Sequence, residues 1–222
     1  MKFFLKLLHF FLILVNLFNF KALLHHWILS DLNDKKGNAT LEYGTNTYYA
    51  ANRYKKPFQA SEFKKGYYQI SKSIEIENNF SVSAWVKLDS DKQYNTLISF
   101  ADEKRENSIW IGFSRLNFHV EISNSLNEND KMVSTSPLPI KIWTHVTFVL
   151  KNNMGYMYLN GISNSNAPLV APIKAERNMN FIGKDSHNTN LYMAEAVYEN
   201  LKIYKGALTP DESKEEYNKD RK

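Results

Sequence analysis

From Ile142 to Gly161 the chain reads IWTHVTFVLKNNMGYMYLNG. Ile142, Thr144, Val146, Phe148 and Leu150 share one face of an extended strand, and Trp143, His145, Thr147 and Val149 share the other. Both faces are bulky or β-branched, so the pattern predicts a central strand covered on both sides. Turn formers from Lys151 to Gly155 break the alternation, and Tyr156 to Leu159 resume it. Asn160-Gly161 then supplies the two positive φ angles of a tight type I′ turn. The stretch is predicted to be an antiparallel meander.

The same signal recurs at short intervals: Tyr67 to Ile70, Phe80 to Leu88, Thr96 to Phe100, Ser108 to Phe113, Asn117 to Ile122, Met179 to Gly183 and Tyr192 to Tyr204. Polar loops, among them Ala101 to Asn107, Ser123 to Lys131 and Asp185 to Asn190, separate these runs. Pro137 and Pro139 exclude a central strand where they stand. Helical signals arrive only at Thr209-Pro210-Asp211-Glu212, with Thr209 as N-cap, Pro210 at the first helical position and Glu212 completing a capping box. The expectation is an all-β chain, an antiparallel sandwich closed by a short C-terminal helix.

The first residues follow a different rule. Lys2 and Lys6 precede a mostly apolar run from Leu7 to Phe20, shorter than the roughly 20 apolar residues of a spanning helix and interrupted by Asn16 and Asn19. Residues 1–22 read as a signal peptide. Phe20-Lys21-Ala22 puts a large residue where cleavage favours a small one, so an uncleaved signal anchor is the alternative. The domain would span residues 26–218, followed by a polar tail at 219–222. This predicts a secreted, extracellular protein, or one anchored in a membrane and facing outside if the leader stays. Sequons at Asn38 and Asn79 suit that address as glycosylation sites.

Composition narrows the field. The 222 residues suit one sandwich of about 180 to 200 residues. There is no cysteine, hence no disulfide framework. The formal charge of +5 includes three leader lysines. Without them 25 basic side chains face 23 acidic ones, too balanced for a nucleic-acid partner.

Trp143-Thr144-His145-Val146 with Tyr156 to Gly161 resembles the centre of laminin-G-like, concanavalin-A-like jelly-roll domains. Phe80 to Lys87, Phe181-Ile182-Gly183 and Leu201 to Glu212 resemble further blocks of that family, in the same order, and HHWILSDLNDKKGN from His25 resembles its opening. The resemblance implies a jelly-roll β sandwich. It also implies a structural calcium joining the opening Asp turn to a strand near the C-terminus. Asp34 matches the first, and Glu199 and Asn200 stand where the second would supply oxygen ligands. The matching position of His145 is structural in relatives.

Glycosidases on this scaffold carry an "E-x-D-x-x-E" strand that places acid and nucleophile on one face. The nearest match, Glu75-Ile76-Glu77-Asn78-Asn79, lacks the third carboxylate. No catalytic residue set is therefore expected, and the chain reads as non-enzymatic. Sandwich lectins hold sugars with aromatic rings and polar groups from rim loops. Trp110 and Tyr94, with Asp185, His187 and Asn188 from the late polar loop, are the candidate ligand-binding residues. The expected function is recognition of a glycan or an extracellular protein, with calcium as the candidate structural cofactor. The alternatives are a divergent glycoside hydrolase or lyase, and a structural or adhesion module that binds no small ligand.

Overall fold

The computed structural model describes residues 21–125, 128–187 and 190–219. The predicted leader up to Phe20, most of the predicted tail, and Asn188 lie outside these residues. In chain order the strands are β1 (Leu23–Trp27), β2 (Leu41–Ala50), β3 (Ala60–Ile70), β4 (Phe80–Leu88), β5 (Tyr94–Phe100), β6 (Ile109–Ser114) and β7 (Asn117–Ser123). Then come β8 (Asn129–Pro137), β9 (Thr144–Lys151), β10 (Met154–Leu159), β11 (Ile162–Pro168), β12 (Phe181–Ile182) and β13 (Ala194–Lys205). A single α-helix among the described residues, α1 (Pro210–Lys219), follows.

The strands pair in the order β11-β10-β9-β4-β13-β3-β12-β5-β6-β7-β8, with β1 beside β13 and β2 beside β3. β3 turns this path into a sandwich. Its first part, Ser61 to Gly66, pairs with β13, and Tyr68 and Gln69 pair with β12. The strand thus passes from one layer to the other. One layer is β11-β10-β9-β4-β13 with β1, and the second is β12-β5-β6-β7-β8. Val82, Val86, Val146 and Phe148 from the first layer meet Ile98, Ile111 and Val120 from the second in one buried core.

The central strand behaves as its pattern predicts: every residue of β9 except Lys151 is buried. The turns follow from two Asn pairs. Lys151 pairs with Met154, so the β9–β10 turn is Asn152-Asn153 alone, both with positive φ. Asn160 and Gly161, at φ 52° and 72°, close β10 onto β11 as expected. Ile142 departs from the expected inward face. It precedes β9 and is 59% exposed. Four strands were not foreseen: β1; β2, exposed along most of its length; β8, an edge strand on which only Met132 and Ser134 are buried; and β11, whose polar residues from Ser163 read as a loop. β8 ends on Pro137, the edge position that proline tolerates.

The outer face of the first layer is roofed. α1 begins as predicted: Thr209 N–H donates to Glu212 Oε2 at 2.6 Å, and Glu212 N–H donates to Thr209 Oγ1 at 3.2 Å. The helix lays Tyr217 against Trp85 and His145, at ring separations of 5.6 and 6.0 Å, and pairs Glu216 with Lys202 at 2.8 Å. Arg53, from the β2–β3 loop, lies 4.7 Å above the Trp85 ring. His145 is therefore sealed in. Burial, reinforced by Lys202, lowers its pKa to about 3, so it is a neutral core group.

Candidate functional site

Among the described residues, no α-helix covers the outer face of the second layer. Registers across its strands place side chains in rows: Phe181, Ser99, Trp110, Glu121 and Lys131 in one, and Thr96, Gly112, His119 and Val133 in the next. The β12–β13 loop folds over this face. Its Ser186 hydroxyl bonds to Ser99 Oγ and to the Met179 carbonyl, and Ser99 Oγ donates to the Lys184 carbonyl. A 3-10 turn at Asn190–Tyr192 ends the loop beside β5.

Gly112 makes the aromatic centre possible. A Cβ there would lie 2.7 Å from the Trp110 indole and would also collide with the Asn95 carbonyl. With hydrogen in its place, the indole folds across the strand and its N–H reaches Thr96 Oγ1 at 2.9 Å. Thr96 in turn donates to the Tyr192 carbonyl at 2.7 Å. This relay fixes the 3-10 turn, so Tyr192 stacks on Tyr94 at 4.3 Å and 12°, with Trp110 edge-on to both. His119 packs edge-on against the other part of the Trp110 ring.

Carboxylates border these rings. His119 Nε2 stands 3.0 Å from Glu121 and holds that carboxyl below its usual range. Asp185 faces His187 Nδ1 at 3.3 Å, which raises the pKa of the imidazole. Burial, with Tyr94, Glu121 and Asp185 nearby, pushes the Tyr192 hydroxyl up to about 12. An aromatic platform flanked by carboxylate acceptors and the His187 imidazole can stack an apolar ring face and bind its hydroxyls.

Four of the five residues expected to bind ligand thus come together from separate segments: Tyr94, Trp110, Asp185 and His187. Trp110, at 5% exposure, supports the platform from below instead of forming its surface. Tyr192, Glu121 and His119 complete the group and were missed.

The calcium set does not fit a metal. Asp34 Oδ1 accepts from the amides of His26, Lys36 and Gly37, and Oδ2 from the Ala39 amide and the His25 ring. Burial would raise the Asp34 pKa, but these bonds hold it near 2. The carboxylate is thus the knot of its own turn, with its lone pairs facing N–H groups. Glu199 is ion-paired with Arg53, and the Asn200 side-chain oxygen meets His26 Nε2 at 3.1 Å. No group of three or more His, Asp or Glu side chains among the described residues is placed to hold a metal ion.

The other candidates are dispersed. Glu75 and Glu77 lie in an irregular segment, not on a strand, and Glu77 pairs with Lys205 at 3.1 Å. That segment borders a cleft of about 1070 Å³ facing Pro172 to Glu176. Asn38 is exposed in its loop, whereas Asn79 accepts the Asn152 amide at 2.8 Å. β1 begins at Leu23, and Ala22 accepts the Lys205 amide, so structured chain starts before the predicted boundary at residue 26. No helix among the described residues is long and apolar enough to cross a membrane.

Residues 63–212 match the family model of the concanavalin A-like lectin/glucanases superfamily, well over half of the chain, and the chain belongs to that superfamily. Domain 4 of AbnA, a GH43 extracellular arabinanase from Geobacillus stearothermophilus, solved in complex with arabinotriose, is similar at 22% identity and a TM-score of 0.68. The match covers 88% of this chain and 98% of that one. The binding domain of Paraclostridial Mosquitocidal Protein 1 is similar at 15% identity and a TM-score of 0.69, covering 89% of this chain and 52% of that one. The botulinum neurotoxin serotype D binding domain is similar at 15% identity and a TM-score of 0.67, covering 90% and 51%. This chain thus spans about half the length of the toxin domains. These likenesses establish the jelly-roll sandwich. No curated protein matches the chain.

Proposed function

We propose that this chain is a non-enzymatic carbohydrate-recognition module that holds a glycan on the outer face of the β5–β6–β7 sheet. The observation that carries this reading is the convergence of Tyr94, Tyr192, Glu121, Asp185 and His187 around Trp110, on the layer that α1 leaves open. A sugar ring would stack on the tyrosine pair, with its hydroxyls bonded to the carboxylates and the His187 imidazole. Among similar structures, the arabinanase domain in complex with arabinotriose supports a glycan over a protein partner. The leader and the exposed sequon at Asn38 support a secreted module.

Recognition in this reading needs no calcium, because the acids expected to bind it are engaged by N–H groups and an arginine. Calorimetric titration of the full chain with plant-wall oligosaccharides, arabinotriose among them, tests the proposal. The expected result is saturable binding, unchanged by chelator. Tyr192→Ala should weaken it by about tenfold or more, since loss of an aromatic stacking partner is worth about 0.5–1.5 kcal/mol beyond its buried area. Unaltered affinity in Tyr192→Ala would place the glycan elsewhere.

A further inference from the structure

Beside the tyrosine platform, the β12–β13 and β5–β6 loops gather two cations, Lys184 and Arg105, that form no ion pair with the described residues. Lys184 is 8% exposed, and its ammonium lies 4.5 Å from the Tyr67 ring centre and 4.9 Å from that of Phe181. No hydrogen bond or ion pair from the described residues reaches that ammonium. Two ring faces offset only part of the cost of withdrawing an ammonium from water. Arg105 stands close by on the β5–β6 loop at a positive φ, half-buried, with its Nε covered and without a partner.

Three of the neighbouring acids are occupied. Asp185 is turned to His187 and lies beyond ion-pair distance of Lys184. Asp102 accepts from the amides of its own turn and from the Asn107 side chain, and Glu103 accepts from Asn178 at 3.2 Å. Burial and then the repulsion from Arg105 lower the pKa of Lys184, against a weaker pull from Asp185. A group that brought its own negative charge would relieve both.

Building on the glycan reading, we infer that Lys184 and Arg105 form an anion subsite for the carboxylate or sulfate of an acidic sugar. Phe181 lies two strands from Trp110 in the same row, about 10 Å at ordinary strand spacing. An acidic unit at Lys184 and a second unit on Tyr192 are therefore neighbours within one oligosaccharide. The ligand class is an acidic glycan, uronic or sulfated.

The test titrates the full chain with three probes: trigalacturonate, a heparin-derived tetrasaccharide and neutral arabinotriose. One of the acidic probes should bind at least tenfold more tightly than the neutral one, and which of them does so separates carboxylate from sulfate. Lys184→Met keeps the side-chain volume, and Arg105→Gln alters a half-exposed turn. Each should abolish the tenfold advantage while leaving arabinotriose unchanged. Equal affinity for neutral and acidic probes, or an advantage that survives both substitutions, overturns the subsite but leaves the glycan-binding face standing. Silence towards all three probes overturns both.

Discussion

Gly112→Val is expected to lower the melting temperature by roughly 2–12 °C and to shift the tryptophan emission to the red. The added carbons fall on the Asn95 carbonyl and the Trp110 indole. The carbonyl belongs to the β5 backbone, which cannot step aside without loosening the β5–β6 pairing. Overpacking of this kind costs about 1–3 kcal/mol, and each kcal/mol moves the melting point of a domain this size by about 2–4 °C. The functional consequence should exceed the thermal one. An indole pushed off Gly112 loses Thr96, Thr96 no longer fixes the Tyr192 carbonyl, and the platform tyrosine is released. An unchanged melting temperature and emission maximum would mean that the indole does not rest on Gly112.

The second large effect belongs to the roofed layer. Glu199 and Arg53 form an ion pair whose side chains are both largely buried, and Arg53 also covers the Trp85 ring. Glu199→Ala should cost about 3–5 kcal/mol, because it strands a guanidinium away from water. The double replacement Arg53→Met with Glu199→Leu should recover most of that loss, since apolar groups of similar volume often substitute for a buried pair without penalty. Thermal unfolding of the three proteins checks this. A loss under about 1 kcal/mol in Glu199→Ala is what an exposed pair would give, and would contradict the burial.

Particular residues show why some of this structure was legible in the sequence. β9 announced itself because it is buried on both faces, so each of its positions carried a signal. Asn160-Gly161 and Thr209 to Glu212 were legible because backbone geometry demands those residue types locally. β2 was not, because only Leu41 along it is buried and two bulges interrupt its alternation. β8 was hidden for a related reason: its inward residues, Met132 and Ser134, are one apolar and one polar.

The site divides the same way. Tyr94, Trp110, Asp185 and His187, which the fold brings together, could be singled out because they are aromatic or polar groups at strand starts and in loops, where ligands reach. Tyr192 had the same credentials but was assigned to the last strand, which begins two residues later at Ala194. Gly112 did leave a signal, a lone glycine inside a strand pattern, which marks close approach by another group. Glu199 was misassigned because its partner is Arg53, 146 residues away, and spacing carries no trace of that contact. Asp34 was read as a metal ligand because a carboxylate opening a glycine turn serves equally to gather amide donors.

The most direct measurement is a two-dimensional NMR map of backbone amides and indole N–H groups during titration with the best-binding oligosaccharide. Binding at the open face predicts that the Trp110 indole signal and the amides of β5, β6, β7 and residues 184–187 and 190–192 move together, while those of α1 and the Glu75 to Asn79 segment stay in place. Shifts clustered on the cleft between Ser73 to Asn79 and Pro172 to Glu176, with Trp110 still, would contradict it and move the recognition site to the end of the sandwich.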